Sequence, residues 1–243
     1  MDAALLYALI AAGANLVGGL LITGHSRGGR VLQRLLIAFG AGFMLATACI
    51  GMVPHAVEEG GESAAVGILV GYLLVHLTQH VITPHFHFGE ETHAEEMVDP
   101  WVGIAALLGL VLHTFFDGVA IASAFGVGEW LGLLVFLAIL LHKIPEGVTL
   151  ASVMLASGNS RRRALLAVVA LGVSTVLGVL LTEQVAPLAT HGLALSAGVT
   201  IYVGASNLVP EIQKERNLAM ALSVFAGAGL FYAAFLMLRG FVP

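Results

Sequence analysis

An all-α bundle of eight transmembrane helices is what this sequence predicts, and three observations carry the prediction. Of its 243 residues, 58% are hydrophobic and only 10% charged, and the mean hydropathy is +0.97, far outside the range of soluble domains. Nine of the ten Lys and Arg residues (Arg27, Arg30, Arg34, Arg161, Arg162, Arg163, Lys214, Arg216, Arg239) stand at or beside breaks between apolar runs, whereas Lys143 stands inside one. A crossing needs about 20 mostly apolar residues to cover roughly 30 Å of hydrocarbon, and eight runs meet that requirement.

The spans are expected at 4–23, 34–56, 64–81, 100–126, 129–157, 164–183, 190–212 and 218–239. The first starts almost at Met1, without a basic stretch before it or a small-residue cleavage site after it, and reads as an anchor and not a cleaved signal peptide. The whole chain, 1–243, reads as one transmembrane domain. Spans one to three and six to eight are expected to form an inverted repeat around the central pair, spans four and five. The Val53-Pro54-His55 end of span two matches Val209-Pro210-Glu211 in span seven. Span one from Ala11 to Gly18 also shares a small-residue pattern with span six from Ala170 to Gly178.

Loop one holds Arg27 and Arg30, loop five Arg161, Arg162 and Arg163, and loop seven Lys214 and Arg216, while loop two carries Glu58, Glu59 and Glu62 and no basic residue. The positive-inside rule then puts the odd loops in the cytoplasm and both termini outside, with the plasma (inner) membrane as the expected location. Loop three, 82–99, is the most polar stretch. With His85, His87, His93 and five carboxylates it is expected to be a cytoplasmic arm that captures metal weakly, the plain alternative being a solvated acidic loop. A single cysteine, Cys49, excludes a disulfide framework and a CxxC metal site within one chain, and the net charge of −5 argues against nucleic acid as a partner.

An ionisable residue deep in a span costs about 2.5–3.5 kcal/mol on insertion scales, yet spans four and five hold five. Span four reads His113-Thr-Phe-Phe-Asp117-Gly and span five His142-Lys143-Ile-Pro-Glu146-Gly. Each pairs a histidine with a carboxylate four residues on, hence on one helix face. Both histidines are fourteenth in their expected spans, so the faces can meet near the midplane. Two imidazoles and two carboxylates make a mixed nitrogen and oxygen shell that suits Zn2+ and tolerates Fe2+, Mn2+, Co2+ or Cd2+. Pro145, between the two span-five ligands, cannot donate to the Leu141 carbonyl and is expected to kink the helix there. His55 and Glu58 are candidates for guiding an ion in from outside, and Asn207 and Glu211 for release, with His76 and His80 weaker release candidates. A hydrogen-bonded helix end is the plain alternative for each.

These two motifs resemble the fourth- and fifth-helix signatures of the ZIP (Zrt-, Irt-like protein) metal transporters, His-Asn-x-x-(Asp/Glu)-Gly and (His/Gln)-(Glu/Asp/Asn)-x-Pro-Glu. The resemblance implies transport of zinc, iron, manganese or cadmium toward the cytosol through His113, Asp117, His142 and Glu146, with the ion as substrate and no cofactor. Many members hold a second metal, and the positions that would bind it read Thr114, Lys143 and Thr175 here. The resemblance therefore implies the branch with a His-Lys pair in span five, whose ammonium repels a second cation. The expected partners are the ion and the lipid bilayer, with homodimerisation left open. An intramembrane metal-dependent hydrolase is the rival reading, but HExxH is absent and four converging ligands leave no evident general base. A metal-sensing receptor is a further rival, and no Walker motif suggests ATP hydrolysis.

Overall fold

The computed structural model describes residues 2–23, 30–81, 100–210 and 217–239, and those residues are helical without a strand. In chain order the helices are α1 (Asp2–Thr23), α2 (Arg30–Ala46), α3 (Val53–Gly60), α4 (Glu62–Val81), α5 (Pro100–Val127), α6 (Glu129–Ala156), α7 (Arg161–Thr182), α8 (Ala186–Ile201) and α9 (Leu218–Arg239). A π-helical stretch, Thr47–Met52, joins α2 to α3 in one rod, and a second, Tyr202–Leu208, continues α8. The eight expected spans are thus all present as helix. Seven are long and apolar enough to cross a membrane, and the apolar part of α4, Glu62–Thr78, is shorter.

Local chemistry corrects three expected boundaries. Pro187 occupies the first turn of α8, where its missing N–H removes no helical bond, so this span starts at Ala186 and not at 190. Ser160 caps α7 by accepting a hydrogen bond from the Arg163 amide, which puts the three arginines inside the first helical turn and not in the loop before it. Span two begins at Arg30 and not at 34. The π-helical stretches end alike: Val53 donates its amide to the Ala48 carbonyl and Val209 to that of Gly204, each one residue before a proline. A proline removes one helical donor, and a widened turn absorbs the mismatch. α6 runs unbroken through Pro145.

The helices pack as two groups. α1, α5, α6 and α7 pack extensively with one another, while α2 pairs with α9 and α4 with α8, and these two pairs meet along the π-helical stretches. Four seams made by reciprocal glycines join the helices in pairs. Gly18 meets the Ile144 carbonyl and Gly147 that of Asn15 (α1 with α6); Gly118 meets the Thr175 carbonyl and Gly178 that of Phe115 (α5 with α7). In the second group Gly42 meets the Val224 carbonyl and Gly227 that of Phe39 (α2 with α9), while Gly71 meets the Leu195 carbonyl and Gly198 that of Ile68 (α4 with α8). Without a hydrophobic drive between helices in lipid, this close approach of backbones is what holds them. No such seam among the described residues joins one pair to another, and between the two groups apolar side chains such as Phe43, Met44, Leu134 and Ala138 pack instead. Large apolar side chains of α1, α4, α7 and α9, among them Leu6, Val66, Leu166 and Phe225, are exposed, as a lipid-facing surface requires.

A methyl group at Gly42 would collide with the Val224 carbonyl, whereas at Gly229 nothing lies within 4 Å. Gly42→Ala should therefore lose about 1–3 kcal/mol of stability from overpacking, and Gly229→Ala should melt at or slightly above the parent's temperature. Thermal unfolding of the detergent-solubilised protein checks both.

Candidate metal centre

α5 and α6 lie side by side with their histidines at matching depth, each the fourteenth residue of a 28-residue helix. Helical periodicity then brings His113 with Asp117, and His142 with Glu146, onto facing surfaces. One ligand atom from each of these four residues lies within 4.8 Å of the other three, close enough to share one ion. All four are buried, at 2% exposure for His113 and Asp117, 4% for Glu146 and 7% for His142. Among the described residues this is the one group of three or more His, Cys, Asp or Glu that could hold a metal.

The candidate ligands are held from behind. His142 donates from Nδ1 to the Ala138 carbonyl at 3.0 Å, and its Nε2 faces Asp117 Oδ2, 3.4 Å away. His113 Nε2 lies 3.4 Å from the same oxygen, and the two rings stand 5.5 Å apart between centroids. Ser174 of α7 donates to the Val111 carbonyl at 2.8 Å and Ser196 of α8 to the Phe116 carbonyl at 3.1 Å, pinning α5 on both sides of its ligand-bearing turn.

Lys143, fully enclosed, sends its ammonium to Asp117 Oδ2 and to Glu146 Oε2, at 2.7 Å each. It thus engages both carboxylates. With the imidazoles counted as neutral, two carboxylates and one ammonium leave a formal charge of −1. One divalent ion reverses that charge, and a second would concentrate positive charge where a low dielectric magnifies repulsion.

Thr114 and Thr175 are both fully enclosed beside this cluster and turn their hydroxyls to their own helices, Thr114 to the Val111 carbonyl (3.0 Å) and Thr175 to that of Leu171 (3.2 Å). The Thr175 carbonyl rests on Gly118, next to Asp117. His55 does not join the cluster. It donates from Nδ1 to the Gly51 carbonyl at 2.7 Å, with its ring edge-on to Trp130 at 5.1 Å, at the N-terminal end of α6. Glu58 is exposed. His76 stacks edge-on with Tyr202. Asn207 lies in the second π-helical stretch, while Glu211 and the loop residues His85, His87 and His93 lie outside the described residues.

Asn15 is the residue that sequence reasoning passed over: it counted only as part of the small-residue pattern of span one, yet it is fully enclosed against Gly147. A lone carboxamide in an otherwise apolar span was the available signal.

An all-helical bundle with imidazoles, carboxylates and an ammonium gathered midway along its helices defines a polytopic membrane protein with a buried cluster of candidate cation ligands. The family model of the ZIP zinc transporters matches residues 91–234, more than half of the chain, and the chain belongs to that family. No curated protein matches it. Membership makes divalent-metal transport the activity, with the ion as substrate.

Because the ammonium and the carboxylates compensate one another, Lys143→Met should destabilise the metal-free protein by about 3–5 kcal/mol. Lys143→Met/Glu146→Gln should lose less than the sum of the single losses. Thermal unfolding of the three variants measures this coupling, and additive losses would contradict it.

Proposed function

We propose that the chain carries one divalent ion at a time, zinc first, toward the cytoplasm through His113, Asp117, His142 and Glu146. The observation that carries this reading is the convergence of four buried ligand atoms within 4.8 Å at the centre of the bundle. Two imidazole nitrogens and two carboxylate oxygens are a donor set that zinc takes in tetrahedral geometry, and Fe2+, Mn2+ and Cd2+ are its competitors. The whole chain acts as a single transport domain in the plasma membrane, with both termini outside, the 82–99 arm in the cytoplasm and a homodimer compatible with its lipid-facing helices.

The chain belongs in the branch whose fifth span carries a His-Lys pair, and Lys143 makes the centre a single-ion site. Its bonds to Asp117 and Glu146 support this, since the ammonium stands where a neighbouring ion would need the same oxygens. Thr114 and Thr175, which replace the other second-site donors, have hydroxyls engaged with backbone carbonyls.

Ions reach the centre past His55 and Glu58 and leave past Asn207 and Glu211. The group formed by α1, α5, α6 and α7 slides against the other four spans; that no glycine seam among the described residues crosses between them, and that apolar side chains fill the boundary, supports this. An inverted repeat underlies the bundle: exchanging spans one with six, two with seven, three with eight and four with five turns each glycine seam into another of the four. The paired π-helical stretches before Val53-Pro54 and Val209-Pro210 follow the same exchange.

Zinc uptake into proteoliposomes loaded with a fluorescent indicator tests transport. The parent should accumulate zinc, and His113→Ala and Glu146→Ala should each abolish accumulation. A parent that moves neither zinc, cadmium, iron nor manganese would overturn the reading. Elemental analysis of purified protein tests the role of Lys143: Lys143→Asp should hold about two ions per chain where the parent holds about one, and an unchanged ratio would remove the single-ion argument.

A further inference from the structure

Among the described residues, six buried side-chain nitrogen or oxygen atoms have no hydrogen-bond partner: both polar atoms of Asn15, and one each of His113, Ser123, Glu146 and Asn159. Four of the six therefore sit on two of the proposed ligands and on Asn15. The Asn15 backbone carbonyl occupies the place where a side chain on Gly147 would begin, and its Oδ1 lies 3.0 Å from that position. Gly147 directly follows Glu146, whose Oε1 is one of the unpartnered atoms.

The buried face of α1 runs Ala4, Ala8, Ala11, Asn15, Gly18, small and apolar except at Asn15. Asn15 is the fourteenth residue of α1, as His113 is of α5 and His142 of α6. Leaving buried polar atoms unpaired costs about 1–3 kcal/mol for each group, and an alanine would continue the face without that cost. Thr175 occupies the matching position against Gly118, but its hydroxyl is satisfied by Leu171. Packing thus accounts for Thr175 and not for the Asn15 carboxamide.

We propose that Asn15 is a further cation-binding residue of the centre, presenting its amide oxygen to the divalent ion on the Glu146 side. The proposal rests on the reading of His113, Asp117, His142 and Glu146 as the ligand set. An amide oxygen adds a donor without adding charge, so it strengthens binding while leaving the balance struck by Lys143 unchanged. Neutral oxygen donors favour Mn2+ relative to Zn2+, which gains more from imidazole. Asn15 therefore sets how far the centre admits the harder ion.

The test is isothermal titration of Mn2+ and of Zn2+ into the purified full chain in detergent, with parent, Asn15→Leu and Asn15→Asp. Asn15→Leu should lose about tenfold in Mn2+ affinity and less in Zn2+ affinity, lowering the Mn2+ to Zn2+ preference. Asn15→Asp, which puts a charged oxygen donor at the same place, should exceed the parent's Mn2+ affinity. An unchanged preference in Asn15→Leu, or equal losses for both ions together with a lower melting temperature, would overturn the proposal and make Asn15 a packing residue. If Asn15→Leu does not fold, Asn15→Asp decides alone, and an affinity for both ions equal to the parent's would overturn the proposal. His113→Ala separates the two readings: if it binds both ions as the parent does, the ligand set fails, whereas if it loses binding while Asn15→Leu keeps the parent's preference, only the Asn15 proposal fails.

Discussion

Lys143 holds its ammonium between Asp117 and Glu146 at 2.7 Å from each, with no exposure to solvent, inside a bundle whose surroundings are hydrocarbon. An isolated charge there is expensive, and the two carboxylates would repel each other without the cation between them. The cluster therefore persists only if α5 and α6 stay at matching depth with these faces together. The glycines after each carboxylate serve that requirement. Gly118 lets α7 rest on α5 beside Asp117, and Gly147 lets α1 rest on α6 beside Glu146, so one small residue both follows a ligand and closes the wall behind it.

The same charges limit what the site can do. A divalent ion that takes an oxygen of Asp117 or Glu146 meets a carboxylate already engaged by an ammonium, so binding is a competition between two cations and not the filling of an unopposed anion. On the proposed reading, such a centre would release its ion as well as capture it, because a replacement charge stays tethered one residue from His142. Imidazole orientation is set more rigidly. The Ala138 carbonyl fixes the His142 tautomer in the manner of outer-shell partners at metal sites.

Movement needs boundaries that are cheap to shift. Backbone contacts through glycine are stiff, since small displacements bring carbonyls into collision, whereas apolar side chains can repack. The distribution of seams makes four stiff helix pairs, and apolar side chains fill the boundary between the α1, α5, α6, α7 group and the other two pairs. Ser196 reaches across that boundary from α8 to the Phe116 carbonyl and is one of the few polar ties there.

How much of this was legible in the sequence follows from the range over which each constraint acts. Helix and span are local. Hydropathy and the bilayer's thickness determined eight spans, and the His-x-x-x-Asp and His-x-x-x-Glu spacings determined which residues share a helix face, because helical periodicity depends only on neighbours along the chain. Boundaries at Ala186 and Arg161 shifted because Pro187 and the Ser160 cap act within one turn, below the resolution of a hydropathy window. Only the tertiary structure decided that Lys143 reaches both carboxylates, that the π-helical stretches precede both Val-Pro steps, and that Asn15 lies enclosed against Gly147. Each depends on which helices touch and at what rotation, and similar apolar spans encode those choices in the positions of small residues, whose partners lie far away in the chain.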